Sequence, residues 1–502
     1  MKGLNWNDGY IVDLEYNDLY IHQINPTFIN LNLVFAGIKP IKDTNFNYLE
    51  LGFGKGASLF THAMANDSKF YGVDFNPNHV VVLSNLIDNF DVDLQIYDDS
   101  FEELLRRLES KDIQFDFICL HGIYSWVNRK NQKIILEIIR KFLKWGGVCY
   151  VSYNCLPGWD GKQSVRHLLK QYSEFYKSDQ MKEAAKNAID FFIDFKQINP
   201  MYYQKNSILV ESMIEKLSDS NLTYLLHEFF GDTWDNKYFT DVVKDFDEAK
   251  CEFATSADIM RHFVDMQLNQ EEKNFFSKIN NPIFAEQVKD YHFNTQFRMD
   301  LFVKGRVKLN QKELFEQFLE FDFILTKLPN VFDEKTITNL EQRKKYKNIL
   351  DFLQKDSFSM KKVKSIQQEF DFEISELAQI LSTLISQGMV YPAKKPSKKV
   401  IDRVKKYNQQ TLKKLDKNAF ISAPTGIVIV VNKIDKLFMS LYSEEDFVYT
   451  DDKVYKQMKL MDINLYEEDR LLEYKKAVEE LRKFHKAFLE NLSFFKAHYF
   501  LA

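Results

Sequence analysis

Glycine is scarce in this chain, at 16 of 502 residues, and cysteine is scarcer, at four. Cys119, Cys149, Cys155 and Cys251 show no CxxC spacing, and two of them fall in apolar, strand-like runs. This excludes a disulfide scaffold and argues against zinc, so buried reduced thiols and no metal site are expected. No stretch approaches the ~20 apolar residues of a membrane span, and residues 1–10 are polar where a signal peptide would be apolar. A cytoplasmic protein with no membrane insertion is the expectation. A net charge of only −5 gives no overall support to nucleic-acid binding.

What is present is ordinary for a soluble globular protein, with 45 % hydrophobic and 28 % charged residues. The length exceeds what one core can organise, so about two to four domains are expected. The 45 phenylalanines and 25 tyrosines must mostly fill cores.

Between residues 47 and 154 strand-like and helix-like segments alternate. Apolar runs at 47–51, 69–74, 92–97, 114–120 and 146–154 read as strands, with helical patterns between them. Such alternation predicts an α/β fold with a doubly wound, Rossmann-like parallel sheet, its strands buried on both faces. Residues 163–217 read as helices; the α/β pattern resumes with a sixth strand at 222–230, a helix at 238–249 and a strand at 250–256.

The expected organisation is a lead-in segment over 1–40, a core over 41–160 and 219–258, and a helical lid insertion over 161–218. An α+β middle segment then spans 259–335, a winged-helix-like module 336–395, and a C-terminal segment with a long docking helix 396–502. The docking helix carries Leu471, Val478, Leu481, Phe484 and Phe488 as an apolar stripe. Residues 394–417 hold ten Lys or Arg; a solvated helix face or linker is the favoured reading over a site for an acidic partner.

Three of the few glycines stand together in "YLELGFGKGASLF", as Gly52, Gly54 and Gly56 behind Glu50. Strand, glycine turn and helix start mark a place where backbone approaches a ligand closely. The spacing GxGxG differs from the dinucleotide fingerprint GxGxxG. With its preceding acid it resembles motif I of class I S-adenosylmethionine (SAM)-dependent methyltransferases. The stretches "HGIYSWV" (121–127), "YNCLPGW" (153–159) and "YLLHEFFGDTW" (224–234), with "YNDLYIHQINP" at 16–26, resemble bacterial methyltransferases that carry a methyltransferase regulatory domain. That family includes lysine methyltransferases acting on outer-membrane proteins. The likeness covers roughly residues 10–435 and departs at Phe53, where the family usually has a small residue.

The resemblance implies SAM as cofactor, held by Glu50, Gly52, Gly54 and Gly56, by Asp74 and Phe75 after the second strand, and by Asp99 and Ser100 after the third. Asp74, 24 positions beyond Glu50, would accept from ribose hydroxyls. His121 is a candidate both for cofactor contact and for moving a proton, its ordinary pKa lying near neutrality. Tyr124, with His121 and Asn154, is the catalytic candidate; Trp126, Tyr153 and His227 are substrate-side candidates. Core packing is the competing reading for each aromatic. The implied function is methyl transfer to lysines of a protein substrate, such as a cell-envelope protein before export. O-methylation of a small molecule or glycan, or an idle SAM-binding regulator, are the alternatives. No Asn-Pro-Pro-aromatic motif follows strand four, which counts against DNA as substrate.

Overall fold

The computed structural model describes residues 19–501 apart from 177, 179, 338, 445, 468 and 469. Residues 1–18 of the expected lead-in segment therefore lie outside the described residues. Helix α1 (Pro26–Phe35) starts at Asn25, whose side chain accepts from the amides of Thr27 and Phe28. Five parallel β/α units follow. These are β1 (Asn47–Leu51) with α2 (Ala57–Ala65), β2 (Lys69–Val73) with α3 (Pro77–Ile87), and β3 (Leu94–Tyr97) with α4 (Phe101–Glu109). Then come β4 (Phe115–Leu120) with α5 (Arg129–Phe142), and β5 (Leu143–Asn154).

The sheet has seven strands in the order β3-β2-β1-β4-β5-β7-β6, where β6 is Glu252–Ser256 and β7 is Phe297–Val303. Strands β1 to β5 run parallel, and β7 lies antiparallel between β5 and β6. Alternate residues of the central strands enter opposite layers: Phe117 and Cys119 of β4 pack into one, Ile118 and Leu120 into the other. All four cysteines are buried.

Two strand expectations change. Residues Leu222–Phe230 form a helix, not the sixth strand. Asn221 caps it by accepting from the Thr223 amide, and Leu225, Leu226 and Phe229 turn to a common buried side. A short apolar run cannot be sorted into helix or strand by periodicity alone. The last strand, β7, comes instead from a segment read as lying beyond the core, and it pairs with β5 along its full length.

Between β5 and β6 the chain forms α6 (Asp160–Phe175), α7 (Met181–Phe195), α8 (Met201–Lys205), α9 (Ser207–Asp219), α10 (Leu222–Phe230) and α11 (Phe239–Glu248). Trp159, Leu169, Phe192, Met213 and Phe229 give α6 to α10 a core of their own. Beyond β7, helices Leu340–Phe358, Val363–Phe370 and Ile374–Ser386 stand beside an antiparallel sheet of Val390–Ala393, Asp322–Leu325 and Lys361–Lys362.

The basic stretch at 394–417 is more than a solvated face. Its helix, Lys398–Leu412, sends Arg403 into the core domain, where Nε donates to the Met64 carbonyl and Nη2 to that of Asn66, each at 2.6 Å. Lys406 donates to the carbonyl of Asn89 and Lys394 to that of Asp43. Arg403 and Lys406 thus cap carbonyls where α2 and α3 end, and Lys394 holds the loop before β1. The expected C-terminal helix starts later than its pattern suggested, at Tyr474, and ends at Glu490. Val478, Leu481 and Phe488 are buried, whereas Leu471 sits on a short strand in the open.

Candidate active site

The turn after β1 is pinned to the end of β2. The amide of Gly52 donates to the Val73 carbonyl at 2.8 Å, and the amide of Gly54 to Asp74 Oδ2 at 2.8 Å. Gly54 and Gly56 have φ of +57° and +82°, where L side chains are strained. A Cβ on Gly56 would lie 2.5 Å from Leu83 Cδ2, so this glycine lets α2 close on α3. A Cβ on Gly54 would meet nothing within 4 Å, because it would project into the cavity at the strand ends. Phe53 turns the other way. It is buried in the core against Gly72, whose missing Cβ makes its room.

Asp74 organises the second loop as well as the first. Its Oδ1 accepts from the Asn76 amide at 3.0 Å and pairs with His79 Nδ1 at 3.1 Å. His79, a cavity residue that the sequence reading missed, lies in the first turn of α3. Its spacing from Asp74, one helical entry after Asn76-Pro77, is the signal that could have found it. Asp99 receives both Nε and Nη2 of Arg107, the latter at 2.8 Å. Ser100 caps α4 in a reciprocal pair with Glu103.

The cavity is walled by Gly52, Gly54, Asp74, Phe75, Asp99 and Ser100 from the first three loops, and by His121 and Trp126 from the fourth. Phe101, Ile123 and Val127 complete it with apolar surface. His121 Nδ1 pairs with the Tyr150 hydroxyl at 2.8 Å, and its ring meets Phe297 edge-on with centroids 5.8 Å apart. Burial, aided by the nearby His22, lowers its pKa to about 4. His121 is therefore neutral at pH 7 and a weak base, not the near-neutral proton carrier expected.

Other expected residues stand outside this wall. Glu50 lies beneath the glycine turn, and burial, opposed by the Tyr48 hydroxyl and reinforced by Asp74, raises its pKa to about 8. Tyr124 is fully buried and faces away from the cavity. Its hydroxyl donates to Asp245 Oδ2 at 2.8 Å, beside the two-pronged Arg129–Asp245 pair. Tyr153 donates to Asp300 Oδ2 at 2.6 Å, within a buried network of Arg298, Asp290 and Asp300. Both hydroxyls are held by carboxylates away from the cavity, against the catalytic role expected of Tyr124 and the substrate-side role expected of Tyr153.

Asn154 does not line the cavity. Its amide donates to Ser125 Oγ, its carbonyl accepts from the Lys237 amide, and its Nδ2 is buried with no hydrogen-bond partner among the described residues. The segment carrying Lys237 also donates from the Asp235 amide to the Ser125 carbonyl, crossing the ends of β4 and β5. His227 is on α10 rather than a strand, and its pKa is lowered by burial and by His79.

A nucleoside-sulfonium cofactor fits this donor set. Gly54 offers backbone without a side chain, Asp74 Oδ2 retains acceptor capacity beyond the Gly54 amide, and apolar walls from Phe101 and Ile123 suit a purine. Comparison with known proteins agrees. A family model described as a methyltransferase domain matches residues 42–227, and one described as a predicted methyltransferase regulatory domain matches residues 221–304. An uncharacterized protein of Synechocystis is 30 % identical over 452 residues, covering 87 % of this chain and 88 % of its own. The structure of PKMT2 from Rickettsia typhi in complex with AdoHcy superposes with a TM-score of 0.70 at 19 % identity, over 97 % of this chain and 99 % of that one. Sheet order, glycine turn and these matches agree: the chain belongs to the class I SAM-dependent methyltransferases that carry a methyltransferase regulatory domain.

Proposed function

We propose that the protein methylates lysine side chains of a polypeptide, with cell-envelope proteins before export as the substrate class. SAM supplies a methyl group activated on a sulfonium. Gly52, Gly54, Asp74, Phe75, Asp99 and His121 are the residues that would hold it, with Glu50 and Gly56 shaping the turn from beneath and Ser100 capping α4 at the wall. The substrate side is formed by Trp126, Asn154 and His227, under α6 to α9 as a lid.

The observation that carries this reading is the likeness in fold to Rickettsia typhi PKMT2 over nearly the whole chain, including the helices and C-terminal parts outside the sheet. A small acceptor has no need of those parts. A lysine must lose its proton before it can attack, and its ordinary pKa is ~10.4. With a pKa of about 4, His121 orients and does not deprotonate. The proton leaves to solvent first, so turnover rises between about pH 7 and 9.

Purified protein incubated with labelled SAM and a cell-envelope extract tests the proposal. Mass spectrometry is expected to find label on lysines of protein. Label confined to hydroxyls, carboxylates or small molecules overturns the lysine reading. Deletion of α6 to α9 is expected to spare part of the SAM binding and abolish transfer; normal turnover in a folded deletion variant overturns the lid.

A further inference from the structure

A cluster of cations and indoles lies between α6, α9, α10 and the segment 231–234. Three cations converge there on two indoles. Lys162 Nζ and Lys216 Nζ lie 4.4 and 4.9 Å from the Trp159 ring centre, and the Arg166 guanidinium carbon lies 4.9 Å from that of Trp234. The two indoles meet edge to face, 5.4 Å apart. The buried anion facing these cations is Glu228; Asp232, largely exposed, also acts on Arg166 and pairs with a fourth cation, Lys170. Burial lowers the pKa of all three cations, that of Lys162 to about 8, and raises that of Glu228. Positive charge is in excess in a chain whose net charge is −5.

Among the described residues, three buried donors here have no hydrogen-bond partner: Trp159 Nε1, Trp234 Nε1 and Arg166 Nε, although Arg166 Nη2 donates to the Gly231 carbonyl; Trp159 is 4 % exposed. Buried donors and cations left uncompensated are costly unless a ligand completes them. A carboxylate accepts from several N–H groups at once and supplies the missing negative charge.

We propose that this cluster is a carboxylate-binding subsite that takes an Asp or Glu side chain of the substrate polypeptide. The proposal rests on the polypeptide reading of the acceptor given above. The cluster is linked to the cofactor cavity: Lys162 Nζ donates to Gln296, and the next residue, Phe297, packs its ring on His121 of that cavity. The subsite therefore reads an acidic residue near the acceptor lysine. Its cations also disfavour an ammonium nearby and so favour the neutral, reactive amine. The acidic residue supplies the attraction that a positively charged lysine would otherwise lack.

The test is calorimetric titration of the full-length, SAM-loaded protein with two lysine-free probes, an alternating Glu–Gly peptide and its Gln–Gly counterpart. The Glu peptide is expected to bind about tenfold tighter or more, the scale of a charge-assisted contact. Arg166→Gln and, separately, the partly exposed Lys216→Gln are expected to remove that preference with SAM affinity unchanged. Equal affinity for the two peptides, or a preference untouched by both variants, overturns the subsite. If Arg166→Gln does not fold, the peptide pair on the wild-type protein and Lys216→Gln still decide. Neither probe contains lysine, so this outcome is independent of whether lysine proves to be the methyl acceptor.

Discussion

The amide of Gly54 donates to the carboxylate of Asp74 across 2.8 Å, tying the loop after β1 to the loop after β2. The same carboxylate holds the Asn76 amide and His79, so one side chain shapes both loops on that side of the cavity. Its role is double: it faces the cofactor cavity, and it sets the backbone that faces it.

Asp74→Ala removes all three of those contacts. SAM affinity is expected to fall by ~1–3 kcal/mol, the scale of charge-assisted hydrogen bonds. Calorimetry on the folded variant is the measurement. Unchanged affinity would detach Asp74 from the cofactor.

The two glycines of the turn separate binding from folding. Gly54→Ala places its Cβ in open cavity, so the backbone strain of ~1–2 kcal/mol comes with a loss of SAM affinity. Gly56→Ala drives a Cβ to within 2.5 Å of Leu83, so its main effect is on the fold. Urea denaturation and SAM titration of both variants are expected to rank them in opposite orders.

Tyr124→Phe deletes a donor to a carboxylate that Arg129 also holds. A loss of about 1–2 kcal/mol in stability is expected, with turnover near wild type once the protein is folded. A large fall in turnover at unchanged stability would return Tyr124 to the catalytic role.

Glu50 makes ligand-free stability depend on pH. Its folded pKa of about 8 lies above the ordinary glutamate value of 4.5, so the folded state holds the proton more tightly. The contribution is full below about pH 4.5 and is lost as pH rises through 8, on the order of a few kcal/mol. Glu50→Gln keeps a neutral side chain at all pH. Its stability is expected to match wild type near pH 5 and exceed it near pH 8, as measured by denaturant titration at the two values.

The sequence alone determined the alternation of strands and helices from β1 to β5, and the place of the cofactor turn. Both are local. Apolar runs of strand length between helical patterns can be read along the chain, and clustered glycines mark positive φ wherever they occur. The tertiary structure decided what depends on distant partners. Leu222–Phe230 became a helix because Leu225 and Phe229, one helical turn apart, enter the same core. Tyr124 and Tyr153 turned from the cavity because Asp245 and Asp300 arrive from elements more than a hundred residues away to accept their hydroxyls. The basic stretch found carbonyls at the ends of α2 and α3 in the same way. A side chain's type and local period set what it can bond to; which partner it meets is set by long-range packing, and no local pattern encodes that choice.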